Sequence, residues 1–271
     1  MSESPMQYTA LSIAGFDGSG GAGIQADLKT FSALGCYGMT VLTALPVQNT
    51  CGVRSCYEIP LNCITEQLDA VFSDIPPRAI KIGMLFNAEI VHLVSNFLQE
   101  RAKDIPIVLD PVMVAKSGDI LLEPSAINAL KNQLIPLVDI ITPNLPEAST
   151  LLGMELSTSG QMKAGAEALI QAGARSVLLK GGHSDGENSA DLFMTDNGYA
   201  RWFNSPRICS KNTHGTGCTL SAAIAAGLAK GMELEKACER AKEYVRGAIF
   251  AASKHSLGQG NGPVHHFYEL W

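Results

Sequence analysis

Short apolar runs alternate with amphipathic stretches along almost all of this chain. The runs at 8–14, 79–82, 105–109, 140–142 and 176–179 are brief and aliphatic, and each stops at a glycine, proline or charged residue. Between them, 22–34, 65–72, 88–102 and 161–172 predict helices. The first shows the spacing plainly, with Ile24, Leu28, Phe31 and Leu34 on one face and Gly35 as the stop. A run at 39–47 predicts one further strand. Segments 192–194 and 200–203, joined through Asp196-Asn197-Gly198, predict a hairpin. Two helices, 218–230 and 234–253, close the chain. Such alternation folds into a mostly parallel sheet with helices on both faces, because each parallel crossover must return over the sheet. The expected fold is therefore α/β, with three α/β/α layers.

No repeat, low-complexity segment or Pro/Gly/Ser-rich linker divides the 271 residues, so one domain spanning 1–271 is expected. The net charge of −6 and the lack of a basic run argue against nucleic acid as a partner. Residues 1–7 lack the pattern of a secretory signal, and no run of about 18 apolar residues occurs, so no membrane role is expected. The seven cysteines are odd in number and irregular in spacing. They read as free thiols in a reducing compartment, which points to the cytoplasm. The adjacent pair His265-His266 cannot turn both rings to one metal from a strand or helix, and reads as surface or packing.

The most specific local signal is Gly215-Thr216-Gly217-Cys218, followed by a helix of small residues. Glycines allow a tight turn and close backbone approach. The helix behind them offers unpaired N–H groups and a partial positive charge. Together they form an anion hole suited to phosphate or to charge developing in phosphoryl transfer. Cys218 stands at its mouth, where a helix N-terminus lowers a thiol toward neutrality.

Other conspicuous residues, most of them polar, fall at the predicted carboxyl ends of strands, where ligands bind in open α/β sheets. These are Asp17, Gln48-Asn49, Met84, Asp110, Asn144, Glu147 and Lys180. The loop 18–23 matches G-x-G-x-x-G literally, but no acidic residue follows the second predicted strand, as a dinucleotide site requires. The loop either lets a small substrate lie against backbone N–H groups or serves helix–strand packing alone. Asn144 and Glu147 could be a helix capping box or an amide–carboxylate pair around Mg²⁺, and spacing leaves both open. Lys180 leaves an apolar run at the ligand edge, as a phosphate contact would. Residues 115–119 look like a flap whose Lys116 would close over phosphates.

Taken in order, these segments resemble the ribokinase-like superfamily. Within it the chain is similar to the hydroxymethylpyrimidine/hydroxymethylpyrimidine-phosphate kinases of thiamine biosynthesis. The match is carried by Ala14-Gly15-Phe16-Asp17 with the segment Ser19 through Asp27, Val47-Gln48-Asn49-Thr50, Lys81-Ile82-Gly83-Met84, Asp110-Pro111-Val112-Met113, Thr142-Pro143-Asn144-Leu145-Pro146-Glu147, Lys180-Gly181-Gly182-His183 and Gly215-Thr216-Gly217-Cys218. The resemblance implies an ATP- and Mg²⁺-dependent sugar-kinase fold, usually a homodimer. It implies that Gln48 hydrogen-bonds the aminopyrimidine and that Gly15, Ala22 and Met84 line the pocket, with Asp17 and Asp27 also at the substrate. It implies Lys180, Asn144, Thr216 and Lys116 at the nucleotide phosphates, Asp110 and Glu147 at the metal, and Gly215, Gly217 and Lys180 beside the transferring group. Cys218 would take the hydroxyl proton, where most of the superfamily has Asp. Pyridoxal kinases of the superfamily typically keep that Asp, so Cys218 points to the thiamine branch, with vitamin B6 phosphorylation as the alternative. Phe16 and Gly18 depart from the pattern at the pocket mouth.

Overall fold

In the strands of this chain, alternate residues face two different cores. The structure is a computed structural model that describes residues 8–113, 118, 121–182 and 188–271. In β1 (Thr9–Ala14), Leu11 and Ile13 join one buried cluster while Ala10 joins the other. The same division holds for Ile80 and Ile82 against Ala79 in β5 (Ala79–Ile82), and for Ile107 and Leu109 against Val108 in β6 (Ile107–Leu109). It holds again for Val177 and Leu179 against Leu178 in β8 (Ser176–Leu179). Strands buried on both faces are expected when helices cover a parallel sheet on each side.

The central sheet has eight strands in the order β10-β9-β8-β7-β6-β5-β1-β2. Here β2 is Tyr37–Leu42, β7 Ile140–Ile141, β9 Asn188–Thr195 and β10 Ala200–Pro206. The six strands from β8 to β2 are parallel; β9 and β10 form the predicted antiparallel hairpin at one edge. One face is covered by α2 (Leu61–Asp74), α3 (Ala88–Arg101), α4 (Pro124–Ala129), α5 (Leu145–Leu152) and α6 (Ser159–Gln171), the other by α1 (Gly23–Ala33), α7 (Thr216–Ala229) and α8 (Leu234–Ala252). The three-layer α/β/α expectation holds.

Helix α7 is the centre of the second face. Every residue from Thr219 to Gly227 is buried, between α1, α8 and the sheet. Its small side chains allow this close approach. A Cβ on Gly227 would lie 3.0 Å from that of Ala237 on α8.

Two local expectations are corrected. The run 39–47 is not one strand. It divides at Thr43 into β2 and β3 (Ala44–Asn49), and β3 pairs with β4 (Gly52–Glu58) in a separate two-stranded sheet. At the division the Thr43 hydroxyl donates to Met84 O (2.6 Å) and its N–H to Ala14 O (3.1 Å), which turns the chain out of the parallel sheet. Strand β4 and helix α4, with the π turn Leu130–Leu134 that continues it, were not foreseen.

Candidate active site

The carboxyl ends of β1, β5, β6, β7 and β8 open onto one cavity of about 620 Å³. Gly15, Gln48 and Met84 lie at the β1/β5 end. Asp110, Asn144 and Lys180 follow β6, β7 and β8 in the middle. Ser205, Lys242 and Arg246 come from β10 and α8 at the far end. The sheet order thus sets a row: a small pocket, a charged centre, and a longer trough.

At the charged centre the Lys180 Nζ donates to Asp110 Oδ1 at 2.9 Å and lies 3.9 Å from Glu147 Oε2. Burial lowers the Lys180 ammonium's tendency to hold its proton, but Asp110 and Glu147 outweigh this and raise it above the ordinary value. Burial pushes the Glu147 carboxyl up to about 7, against the pull of Lys180, with Asp110 adding to the rise. Asn144 and Glu147 form the capping box of α5, with 2.8 Å bonds in both directions. The cap holds Glu147 in the cavity wall, so the capping reading and the site reading coincide in one pair.

The loop entering α7 turns as its glycines suggest. Gly215 has φ +77°, a left-handed conformation that glycine adopts without strain, and a Cβ there would overlap the Gly21 carbonyl oxygen. Gly217 lies directly beneath the ion pair, where a Cβ would be 3.2 Å from Asp110 Oδ2 and 3.4 Å from Lys180 Nζ. Thr216 and Cys218 line the same wall at the N-terminus of α7.

Cys218 corrects an expectation. It is half-buried and lines the cavity, but burial pushes its thiol up to about 11, with the Lys81 ammonium opposing that rise. The helix N-terminus does not bring it near neutrality, because desolvation in the wall of the cavity dominates.

Asp17 and Asp27 are corrected too. Neither lines the cavity, and both are fully buried. Asp17 is the hub of the loop after β1. It accepts from the N–H groups of Ser19 (2.9 Å), Gly21 (3.0 Å) and Ala22 (2.8 Å), from the Ser19 hydroxyl (2.7 Å), and from His214 Nε2 (2.8 Å). Burial raises its carboxyl, but these donors, His214 foremost, win and hold it at about 2. Asp27 accepts from the Ser12 hydroxyl (2.5 Å) and from Lys81 Nζ (2.8 Å). Lys81 and Ser12 are register partners on β5 and β1, so the pair is closed between the sheet and α1. Asp17 thus organises the backbone of the loop after β1, while Asp27 fixes the Lys81 side chain against the sheet.

Gly15, Ala22, Gln48 and Met84 do line the cavity, and Gln48 Nε2 donates to Phe16 O at 3.0 Å. Lys116 and His183 lie outside the described residues. His266 faces Thr219 Oγ1 at 3.1 Å, and burial brings its imidazole down to about 3. Among the described residues no group of three or more His, Cys, Asp or Glu side chains forms a metal cluster, and no helix is long and apolar enough to cross a membrane.

Sequence reasoning missed Lys81, His214, Asp191 and Lys242 as parts of the cavity wall. Asp191 accepts from Gly181 N–H (2.9 Å) and from Lys242 Nζ (2.6 Å), which anchors the loop that carries Lys180. Lys81 had a visible signal, a lone charge inside the aliphatic strand Ala79–Ile82.

The sequence pattern of the family described as phosphomethylpyrimidine kinase matches residues 17–265. A hydroxymethylpyrimidine/phosphomethylpyrimidine kinase of Escherichia coli (strain K12) is 51% identical over 266 residues, covering 98% of this chain and 99% of that protein. A thiamine biosynthesis bifunctional protein of Geobacter sulfurreducens is 49% identical over 95% of this chain, which spans 52% of that longer protein. Among solved structures, an ADP complex of Bacillus subtilis pyridoxal kinase is similar at 39% identity and a TM-score of 0.86, covering 96% of this chain and 97% of the other. The architecture is the ribokinase-like fold.

Proposed function

The chain belongs to the phosphomethylpyrimidine kinase family, and on that premise we propose that it moves the γ-phosphoryl group of ATP onto 4-amino-5-hydroxymethyl-2-methylpyrimidine and then onto the resulting monophosphate, as a step of thiamine biosynthesis. It is a phosphotransferase acting through one domain, 1–271, in the cytoplasm and as a homodimer. The observation that carries this reading is the Lys180–Asp110 pair lying against Gly217, midway between the Gln48 pocket and the trough of β10 and α8. A phosphoryl group passing from a nucleotide in the trough to a hydroxyl in the pocket would cross that point.

Phosphoryl transfer depends on positioning and charge, since its transition state is loose and spreads charge over the transferring oxygens. The N–H groups of Gly215 to Cys218 hold that charge, and Lys180 follows the phosphoryl group. Gln48 fixes the pyrimidine, with Gly15, Ala22 and Met84 as its walls. Asn144 and Thr216 lie beside the nucleotide phosphates. Cys218 accepts the hydroxyl proton, and the Lys81 ammonium supports the thiolate this requires.

Asp110 and Glu147 suit Mg²⁺, a hard cation that takes few carboxylates plus phosphate oxygens and waters. Their fit rests on position: both carboxylates lie in the cavity wall around Lys180, whose Nζ is 2.9 Å from Asp110 and 3.9 Å from Glu147. When bound, the cation would neutralise charge on the transferring phosphates.

The test is ATP turnover by the purified chain with Mg²⁺ on hydroxymethylpyrimidine, its monophosphate and pyridoxal. Turnover of both pyrimidines, with little on pyridoxal, is expected. Preference for pyridoxal, the substrate named for the Bacillus subtilis neighbour, would overturn the substrate and keep the chemistry.

A further inference from the structure

None of residues 258–263 lines the cavity, yet this glycine-rich segment touches the two loops that define it. At its first half, Asn261 N–H donates to Thr50 O (2.9 Å) and Gly260 N–H to Thr50 Oγ1 (3.3 Å). Thr50 is the turn of the β3–β4 hairpin, two residues beyond Gln48. The approach is so close that a Cβ on Gly258 or Gly260 would overlap Thr50. At its second half, Gly262 O accepts the N–H of His214 (3.0 Å), and Pro263 bridges His214 in parallel. A Cβ on Gly262 would overlap Asn212 Oδ1. Asn212 in turn donates to Ala252 O (2.6 Å) and His255 O (2.7 Å) at the end of α8.

The hairpin belongs to neither face of the main sheet, being a separate two-stranded sheet. A lone hairpin is marginal in water without further packing. Its tip needs an anchor if Gln48 is to keep its place, and residues 258–263 supply one whose other end is the loop entering α7.

We propose that residues 258–263 are a positioning strap that ties the Gln48 hairpin to the anion loop, so that the pyrimidine pocket and the phosphate site are held in register by a segment touching neither ligand. The role of the two sites rests on the reading above; the mechanical link does not. Its glycines are required by closeness at Thr50 and Asn212, and by φ +80° at Gly258.

Two measurements test this. In steady-state kinetics, Gly260→Ala raises KM for hydroxymethylpyrimidine about tenfold and changes kcat and the KM for ATP by no more than about twofold, because the lesion lies at the pocket end and reaches the anion loop only through the strap. In a Gln48→Ala background the same change adds little, since the contact it displaces is already gone. Thr50→Ala, which keeps the hairpin backbone intact, gives a weaker shift of about two- to threefold. Equal rises in both KM values, or full additivity with Gln48→Ala, would make the segment ordinary structure and end the proposal. Hydrogen exchange reads the link without any substrate. Gly262→Ala, made at the anion-loop end, speeds exchange of Asn261 N–H at the hairpin end, and Gly260→Ala speeds that of His214 N–H. Changes confined to the mutated end would overturn the link even if the kinase reading stands. An inactive wild type with transmitted exchange would retain the link and remove the kinase reading.

Discussion

Two lysines at the heart of this molecule have the same partner chemistry and opposite situations. Lys81 Nζ meets Asp27 at 2.8 Å with both side chains 0% exposed, sealed between β5 and α1. Lys180 Nζ meets Asp110 at 2.9 Å, but its side chain is 13% exposed and Glu147 stands 3.9 Å away. Asp27 holds Lys81 charged against burial, and although Lys81 borders the cavity its ammonium is committed to that buried partner. Lys180 is shared between two carboxylates at the cavity surface, so an incoming phosphate can take part of it. An ion pair by itself therefore says little about function. Access and a second carboxylate separate a lysine placed to bind from one that only holds the fold.

The largest test of this contrast is the removal of Lys81. Lys81→Met leaves Asp27 buried without its counter-ion, and should cost about 3–5 kcal/mol of stability in denaturant melts. Adding Asp27→Leu should recover much of that loss, because the charge goes with its partner. If Lys81→Met melts like the wild type, the pair is not closed.

Lys180→Met should do the reverse. Its melt should fall by less than that of Lys81→Met, because the pair opens onto the cavity and Glu147 can take up a proton, while kcat falls by about 10²- to 10³-fold, the usual cost of removing one preorganised charge from a transition state. A large loss of stability with modest loss of kcat would erase the distinction between the two lysines.

Cys218 feels both ammonium groups, and its behaviour sharpens the comparison. With its thiol at about 11, the thiolate fraction rises tenfold per pH unit through neutrality. Then kcat/KM should climb with pH between about 7 and 9 if Cys218 is the base, and Cys218→Asp should be flat and partly active there. Cys218→Ala should lose about 10²-fold. A flat wild-type profile would send the hydroxyl proton to an oxygen of the transferred phosphoryl group instead.

The smallest expected effect concerns Asp17, a carboxylate as enclosed as Asp27. Its folded value of about 2 lies below the ordinary 3.8. The stability it contributes, about 2 kcal/mol, is present above pH 3.8 and fades as pH falls through 2. Acid unfolding of Asp17→Asn should lack this component.

How much of this was legible follows the same line between position and environment. The strands Ala79–Ile82 and Ser176–Leu179 could be bounded from sequence because aliphatic runs end abruptly at Gly83 and Lys180. The break at Thr43 could not, because it depends on hydrogen bonds to Ala14 and Met84, residues brought near only by the fold. Strand β4 is polar and mostly exposed, so it carries no apolar alternation to read. Strand-end placement brought Asp110, Asn144 and Lys180 to the cavity wall, and Asp17 wrongly with them. Asp17 and Asp27 bear the same residue letter and the resemblance drew them to the substrate. Burial, which sequence does not display, turned them into supports. The Cys218 thiol went astray for the same reason, since a helix end is local and desolvation is not.

The burial of α7 from Thr219 to Gly227 has a consequence for temperature. The loop that would hold the transferring charge is the first turn of a helix with no free side on which to melt alone. Warming should therefore not loosen this loop ahead of the rest. Heat inactivation and loss of tertiary structure should fall on one curve, and any gain in activity at low temperature would have to be sought at the hairpin or the trough, since softening α7 would dissolve the fold.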